Sequence, residues 1–241
     1  MKSMARITML ELNKLIKKRE FFVGILLILI MGCGMTYGAY RFPDSFGVRN
    51  VIAFYGNFAS ILIMFLGAKS LGEEFDLRTA TFVFTSRCSR AKIIAAKILS
   101  VALANIIIGL FGGLLYDAAL VICDQPWTLV SLLTVIGKEC LIYMVYGFAI
   151  GAVALLVTVI HNTTITPFIY LICLFWIMPN LLQMIGQKIK VLGKLLDYIV
   201  FCIADQFLMY QDWSVKNVVV FLISGAVFGI IAIGILEKKD L

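Results

Sequence analysis

Six stretches of this chain are each long and apolar enough to cross a lipid bilayer, and together they leave little sequence for anything else. They run from Phe21 to Tyr40, Val51 to Lys69, Ile93 to Cys123, Glu139 to Ile160, Thr166 to Gln183 and Val215 to Leu236. A spanning helix needs about 20 largely apolar residues to cross a hydrocarbon core of roughly 30 Å. Lipid offers no hydrogen bonds to an open backbone, so only helices and closed barrels span it. A barrel would show segments of about ten residues with alternating polarity, whereas residues 23–31 are apolar on every face. Composition points the same way: 62% of residues are hydrophobic and 15% charged, against roughly 25% charged in a soluble domain. The sequence therefore predicts one all-α integral membrane domain over residues 1–241, with six transmembrane helices.

The amino-terminal segment does not read as a cleaved signal, because its basic region is about twenty residues long and no small-x-small cleavage pattern follows the apolar run. Within it, apolar residues fall at Met4, Ile7, Leu10, Leu12, Leu15 and Ile16, with Arg6, Glu11, Lys14, Lys17 and Lys18 mostly opposite. That spacing predicts an amphipathic helix lying in the membrane interface before the first span. Lysine and arginine set the orientation. With the amino terminus inside, fourteen of the 21 basic residues face the cytoplasm. Seven face out: Arg41, Arg49, Lys138, Lys188, Lys190, Lys194 and Lys216. Both termini are therefore expected in the cytoplasm, and the net charge of +7 is chiefly a topology signal. The bases gather at membrane edges rather than alternating with aromatics, which argues against nucleic acid as a partner.

Irregularities along the chain refine the picture. The third apolar run would measure about 46 Å as one helix at 1.5 Å per residue, so its start, including Lys97, is expected in the cytoplasmic interface. Thr128 to Gly137 is too short to span, and Gly137-Lys138-Glu139 is expected to break it from the fourth span as an outer-leaflet helix. Pro179-Asn180 is expected to end the fifth span. Residues 195–210 are apolar but carry Asp197 and Asp205, each of which would cost roughly 2.5–3.5 kcal/mol at the bilayer centre. They are read as an outer-face helix or re-entrant hairpin between spans five and six. Gly34/Gly38, Gly109/Gly113, Gly147/Gly151 and Gly225/Gly229 repeat the spacing that lets helix backbones approach closely. Four such pairs suggest packing within the chain more than a seam between copies.

Catalytic chemistry is hard to find. One histidine, His161 in a turn, excludes paired-histidine metal sites and acid–base pairs. The six cysteines form no Cys-x-x-Cys pair and read as inert apolar residues; only Cys123 and Cys202 are placed to meet at the outer face. No nucleophile elbow or phosphate-binding loop occurs, so the chain is not expected to hydrolyse nucleotide, nor to bind a cofactor. Polar residues within the spans are few. Asn57, Asn105 and Asp117 are the candidates for a substrate path, since intramembrane ionisable and polar groups are functional suspects by default.

The largest polar interruption lies between spans two and three: Leu71-Gly72-Glu73-Glu74-Phe75-Asp76-Leu77-Arg78-Thr79, then Ser86-Arg87-Cys88-Ser89-Arg90, then Lys97. Placed on the cytoplasmic side, it resembles the first cytoplasmic loop of the membrane subunit of type-2 ATP-binding-cassette exporters. That loop carries Glu-x-x-x-Gly-Thr, then Pro-x-Ser-Arg, then Lys. Glu74 and Thr79 match the first part, Ser89 and Arg90 the second, and Lys97 the third; Arg78 stands at the glycine and Arg87 at the proline. The interfacial helix, six spans, tight second cytoplasmic turn, outer segment and closing Glu237-Lys238-Lys239-Asp240-Leu241 are also similar to the family.

The resemblance implies a permease subunit driven by two copies of a separate cytoplasmic ATPase, which would hold the ATP and magnesium. A second permease chain, identical or related, would complete the path. The loop would contain a coupling helix with Glu73, Glu74 and Asp76 at its membrane-side start. Phe75, Phe82 and Phe84 would be apolar anchors, and Arg87, Arg90 and Lys92 partners for acidic groups of the ATPase. The implied setting is a bacterial cell membrane, and the implied cargo an antimicrobial peptide, drug or lipid leaving the cell. Two other readings remain open on the residues: a membrane-embedded lipid-modifying enzyme, and a non-transporting scaffold.

Overall fold

The computed structural model describes residues 4–84, 89–189, 193 and 195–239, and among them every regular element is a helix. In order these are α1 (Met4–Ile16), α2 (Arg19–Arg41), α3 (Arg49–Asp76), α4 (Ala80–Phe84), α5 (Arg90–Ile122), α6 (Leu129–His161) and α7 (Ile165–Ile172). A π-turn over Cys173–Ile177 follows, then α8 (Met178–Lys188), α9 (Val200–Leu208) and α10 (Val215–Glu237). Six helical segments are long and apolar enough to cross a membrane, the fifth being α7 through α8 to Gly186. The chain is thus a multi-pass membrane protein.

Helices α3, α5 and α6 form the centre, each with well over half of its apolar window buried; α2, α7–α8 and α10 keep under a third. Lipid replaces water around such a bundle, so outer helices need not be amphipathic, and Leu26, Ile30, Ile223 and Ile230 stay exposed. Close approach at the centre depends on three of the four glycine pairs. A Cβ on Gly109 would lie 2.7 Å from the Glu139 carbonyl oxygen, and one on Gly113 2.8 Å from the Ile136 Cα. Gly147 faces the buried side chain of Asn105. Gly225 lets α10 settle on Phe148 and Ala149, whereas Gly34 and Gly38 face open space. Packing within the bundle accounts for three pairs and not the fourth.

Three sequence expectations need correction. Gly137-Lys138-Glu139 does not break a helix: α6 runs unbroken through 33 residues. No proline intervenes, and Thr128 and Ser131 cap its start with reciprocal side-chain hydrogen bonds. Pro179 does not end the fifth span. It sits in the first turn of α8, where a missing N–H is tolerated, and the π-turn before it re-registers the helix. The helix of the second span does not stop at Lys69 but continues to Asp76. α6 itself ends where Asn162 adopts the left-handed conformation at φ 57° and donates its N–H to Thr158. The tight turn expected at 161–164 then delivers the chain to α7.

The segment between spans five and six contains α9, whose Cys202, Ile203, Phe207 and Leu208 are buried in the bundle. Cys33, Cys123, Cys140, Cys173 and Cys202 are all free, so Cys123 and Cys202 form no disulfide. α1 lies against α5, burying Thr8 and Leu15 but leaving Met9 and Leu10 exposed. It therefore docks on the bundle by one edge and keeps an apolar edge free.

Candidate docking site at the charged end of the bundle

Both described chain ends lie at one end of the bundle. Arg90 donates through one guanidinium nitrogen to the carbonyls of Leu236 and Lys239, each at 2.8 Å. Lys239 in turn reaches the Val159 carbonyl and, at 2.7 Å, the Asn162 side-chain oxygen; burial holds its pKa below the ordinary lysine value. The second half of α1, the starts of α2 and α5, the ends of α3, α6 and α10, and α4 meet here.

At the centre is Lys97, with 0% of its surface exposed. Its ammonium donates to Glu74 Oε1 at 2.8 Å, Glu11 Oε2 at 2.9 Å and the Ser70 carbonyl at 2.8 Å. Three donors meet three acceptors, so every N–H of the ammonium is used. Lys14 adds a second, more exposed contact to Glu74 at 3.2 Å. Lys18 pairs with Glu73, and Lys69 pairs with Glu20 at 2.6 Å. Alternating charges thus stitch α1, α2 and α5 to the last two turns of α3. Lys97 is fully enclosed by protein, with Glu11 of α1 among the groups that close over it. Glu73, Glu74 and Asp76 do not begin a loop helix; they finish α3.

The turn that follows is built around Arg78. Its φ is 57°, a left-handed conformation that favours glycine, and glycine is what the loop pattern carries at this position. Thr79 closes the turn, donating both its N–H, at 2.8 Å, and its hydroxyl, at 3.3 Å, to the Glu74 carbonyl. The five-residue helix α4 comes next. Ala80 and Phe84 are buried, Phe84 close to the ring of half-buried Phe75 at 6.4 Å between centroids. Phe82 is 79% exposed. Of the three aromatic residues expected as anchors, Phe82 alone projects outward, flanked at a distance in sequence by exposed Arg78 and Lys92. Arg90 is taken up by the carboxyl-terminal segment and is not a free outward cation. Ser89 precedes α5 in an extended conformation and makes no side-chain cap. Arg87 lies outside the described residues.

The three polar residues suggested for a substrate path lie on two helices. Asn105 is fully buried between α5 and α6, Asp117 is buried on α5 further along, and Asn57 is half-buried on α3. What sequence reasoning missed is the pairing of Lys97 with Glu11 and Glu74, whose partners lie 86 and 23 residues away. The only signal was the presence of a lysine inside an apolar run.

No family model matches the chain, and no curated protein is detectably similar to it.

Proposed function

We propose that this chain is the permease subunit of a type-2 ATP-binding-cassette exporter, resting on the convergence of Glu74, Thr79 and Lys97. These residues match separate parts of the loop pattern, and they meet in one place: Thr79 caps onto the Glu74 carbonyl while the Glu74 carboxylate pairs with Lys97. A pattern kept by accident has no reason to form a joint. The joint fixes α4 rigidly to α3 and α5, so a push on α4 would tilt those helices rather than bend a loose connector. Phe82 is then the anchor that seats in a partner ATPase, an exposed aromatic of the type that dominates interface energetics. The charged end faces the cytoplasm, α1 rests in the interface by Met9 and Leu10, and the membrane is a bacterial cell membrane. Two ATPase subunits carrying ATP and magnesium drive two permease chains, identical or related. The outward lipid-like surfaces suit a hydrophobic or amphipathic cargo such as a peptide, drug or lipid.

The test is affinity purification of the tagged chain from its native membrane and an ATPase assay of what co-elutes. Phe82→Asp is the informative variant, because Glu74 and Arg90 are structural and their loss would disturb the bundle. A nucleotide-binding subunit that accompanies the wild type and is lost with Phe82→Asp, at unchanged thermal stability, supports the reading. A wild-type complex that contains no ATPase refutes it and favours a scaffold.

A further inference from the structure

The end of the bundle opposite the charged site holds a cavity of about 580 Å³, within the 300–1,000 Å³ typical of ligand sites. Arg49, Tyr116, Lys138, Glu139, Tyr210 and Gln211 are among the polar residues that line it. Glu139 is 0% exposed, and among the described residues neither of its carboxylate oxygens has a hydrogen-bond partner. It joins no ion pair among the described residues. Gln211 approaches it, yet the Gln211 Nε2 is also buried without a partner. One turn along the same face of α6, the buried Tyr143 hydroxyl is unpartnered as well. Buried polar groups are ordinarily hydrogen-bonded, so an unmet carboxylate and an unmet amide nitrogen on the wall of an open volume mark a site built for something else to fill. The wall is firm: Gln211 sits in a turn at φ 55°, tied to α10 by Asn217, which donates to the Asp212 carboxylate at 2.9 Å.

Charge is sorted within the cavity. The carboxylate is enclosed, whereas Arg49 is exposed and Lys138 half-buried. We propose that the cavity binds a phosphoethanolamine headgroup, its primary ammonium on Glu139 and its phosphate at Arg49 and Lys138. The orphaned carboxylate chooses the amine: a primary ammonium brings three N–H donors to the two oxygens of Glu139, whereas a quaternary ammonium brings none. The bases at the mouth choose the phosphate, since guanidinium and ammonium groups pair with its oxygens through charge-assisted hydrogen bonds. The same bases repel a polycationic peptide, which would otherwise suit a buried acid. The headgroup belongs either to a membrane aminophospholipid or to free phosphoethanolamine. This site is independent of the docking role proposed for the charged end.

The test titrates the purified full chain in mild detergent with dihexanoyl-phosphatidylethanolamine and its choline and glycerol counterparts. Free O-phosphoethanolamine, hexylamine and a lysine-rich peptide complete the set, and bound ligand is read by native mass spectrometry. The ethanolamine lipid saturates one site about tenfold or more tightly than the other two lipids, and Glu139→Gln abolishes that preference. Arg49→Gln with Lys138→Gln, at positions not buried, weakens the ethanolamine lipid but leaves hexylamine unchanged, and this arm stands even if Glu139→Gln fails to fold. Binding of free O-phosphoethanolamine comparable to the lipid identifies a soluble source; binding of the lipid alone identifies the membrane. Equal affinity for the choline lipid, a preference that survives Glu139→Gln, or saturation by the peptide without the ethanolamine lipid overturns the proposal.

Discussion

Replacing Lys97 by methionine tests whether the buried charge joint holds the end of the bundle together. The substitution keeps the length and most of the volume of the side chain while removing a fully enclosed cation. It strips Glu74, whose side chain is 4% exposed, of its closest partner and leaves it with Lys14, which is 45% exposed and 3.2 Å away. Breaking a buried pair from one side costs about 3–5 kcal/mol, because the remaining charge is stranded. Retention of Lys14 places Lys97→Met near 3 kcal/mol on that scale. At about 2–4 °C per kcal/mol for a chain of this size, the unfolding midpoint falls by about 6–12 °C. Glu74→Leu alone costs less, since Lys97 keeps Glu11 at 2.9 Å and the Ser70 carbonyl at 2.8 Å. The double variant removes both charges and leaves little stranded, so it is less destabilised than the two single effects together, by about 2 kcal/mol. Thermal melts of all four proteins in one detergent, followed by circular dichroism and by fluorescence, close the cycle. Additive effects, or a shift under about 2 °C for Lys97→Met, would refute the claim that this pair is buried and coupled.

Three further outcomes follow from the geometry. Gly109→Ala forces a Cβ to within 2.7 Å of the Glu139 carbonyl oxygen and destabilises by about 1–3 kcal/mol, whereas Gly38→Ala meets open space and stabilises by up to about 1 kcal/mol; equal melting shifts for the two would contradict the assigned faces. Arg78→Gly relieves a left-handed residue that costs about 1–2 kcal/mol, offset by roughly 0.5–1 kcal/mol of extra chain entropy in the unfolded state. Its melting point therefore stays level or rises, and a clear fall would show that the turn is not left-handed. Asp205 on α9 is half-buried, and burial raises its pKa above the ordinary 3.8. The folded state then holds its proton where the unfolded state has released it, so stability falls as pH rises through the interval above 3.8. Asp205→Asn removes that slope, which melts between acid and neutral pH would reveal; an unchanged slope counts against it.

Which features were legible in the sequence follows from how local their causes are. A membrane helix is specified by its own run of apolar residues, so all six spans could be read directly, and a glycine spaced four from another announces a close contact without naming the neighbour. Gly34/Gly38 shows the limit: its spacing equals that of Gly109/Gly113, yet nothing packs on it, because facing is decided by a second helix. Helix ends were misread wherever polarity was equated with interruption. Glu139 and Glu74 are both charged residues beside apolar runs, and both are buried inside continuous helices. Backbone geometry does not object to a carboxylate in a helix; lipid does, and a protein neighbour removes lipid from consideration. For Glu74 that neighbour is Lys97, brought in by another helix and covered by α1. For Glu139 no cation among the described residues pairs with it, and its two oxygens line a cavity instead. The same local signal, an acid at the edge of an apolar run, thus marks a satisfied joint at one end of the bundle and an open demand for donors at the other. Only the partner, fixed by tertiary packing, distinguishes the structural acid from the one left for a ligand.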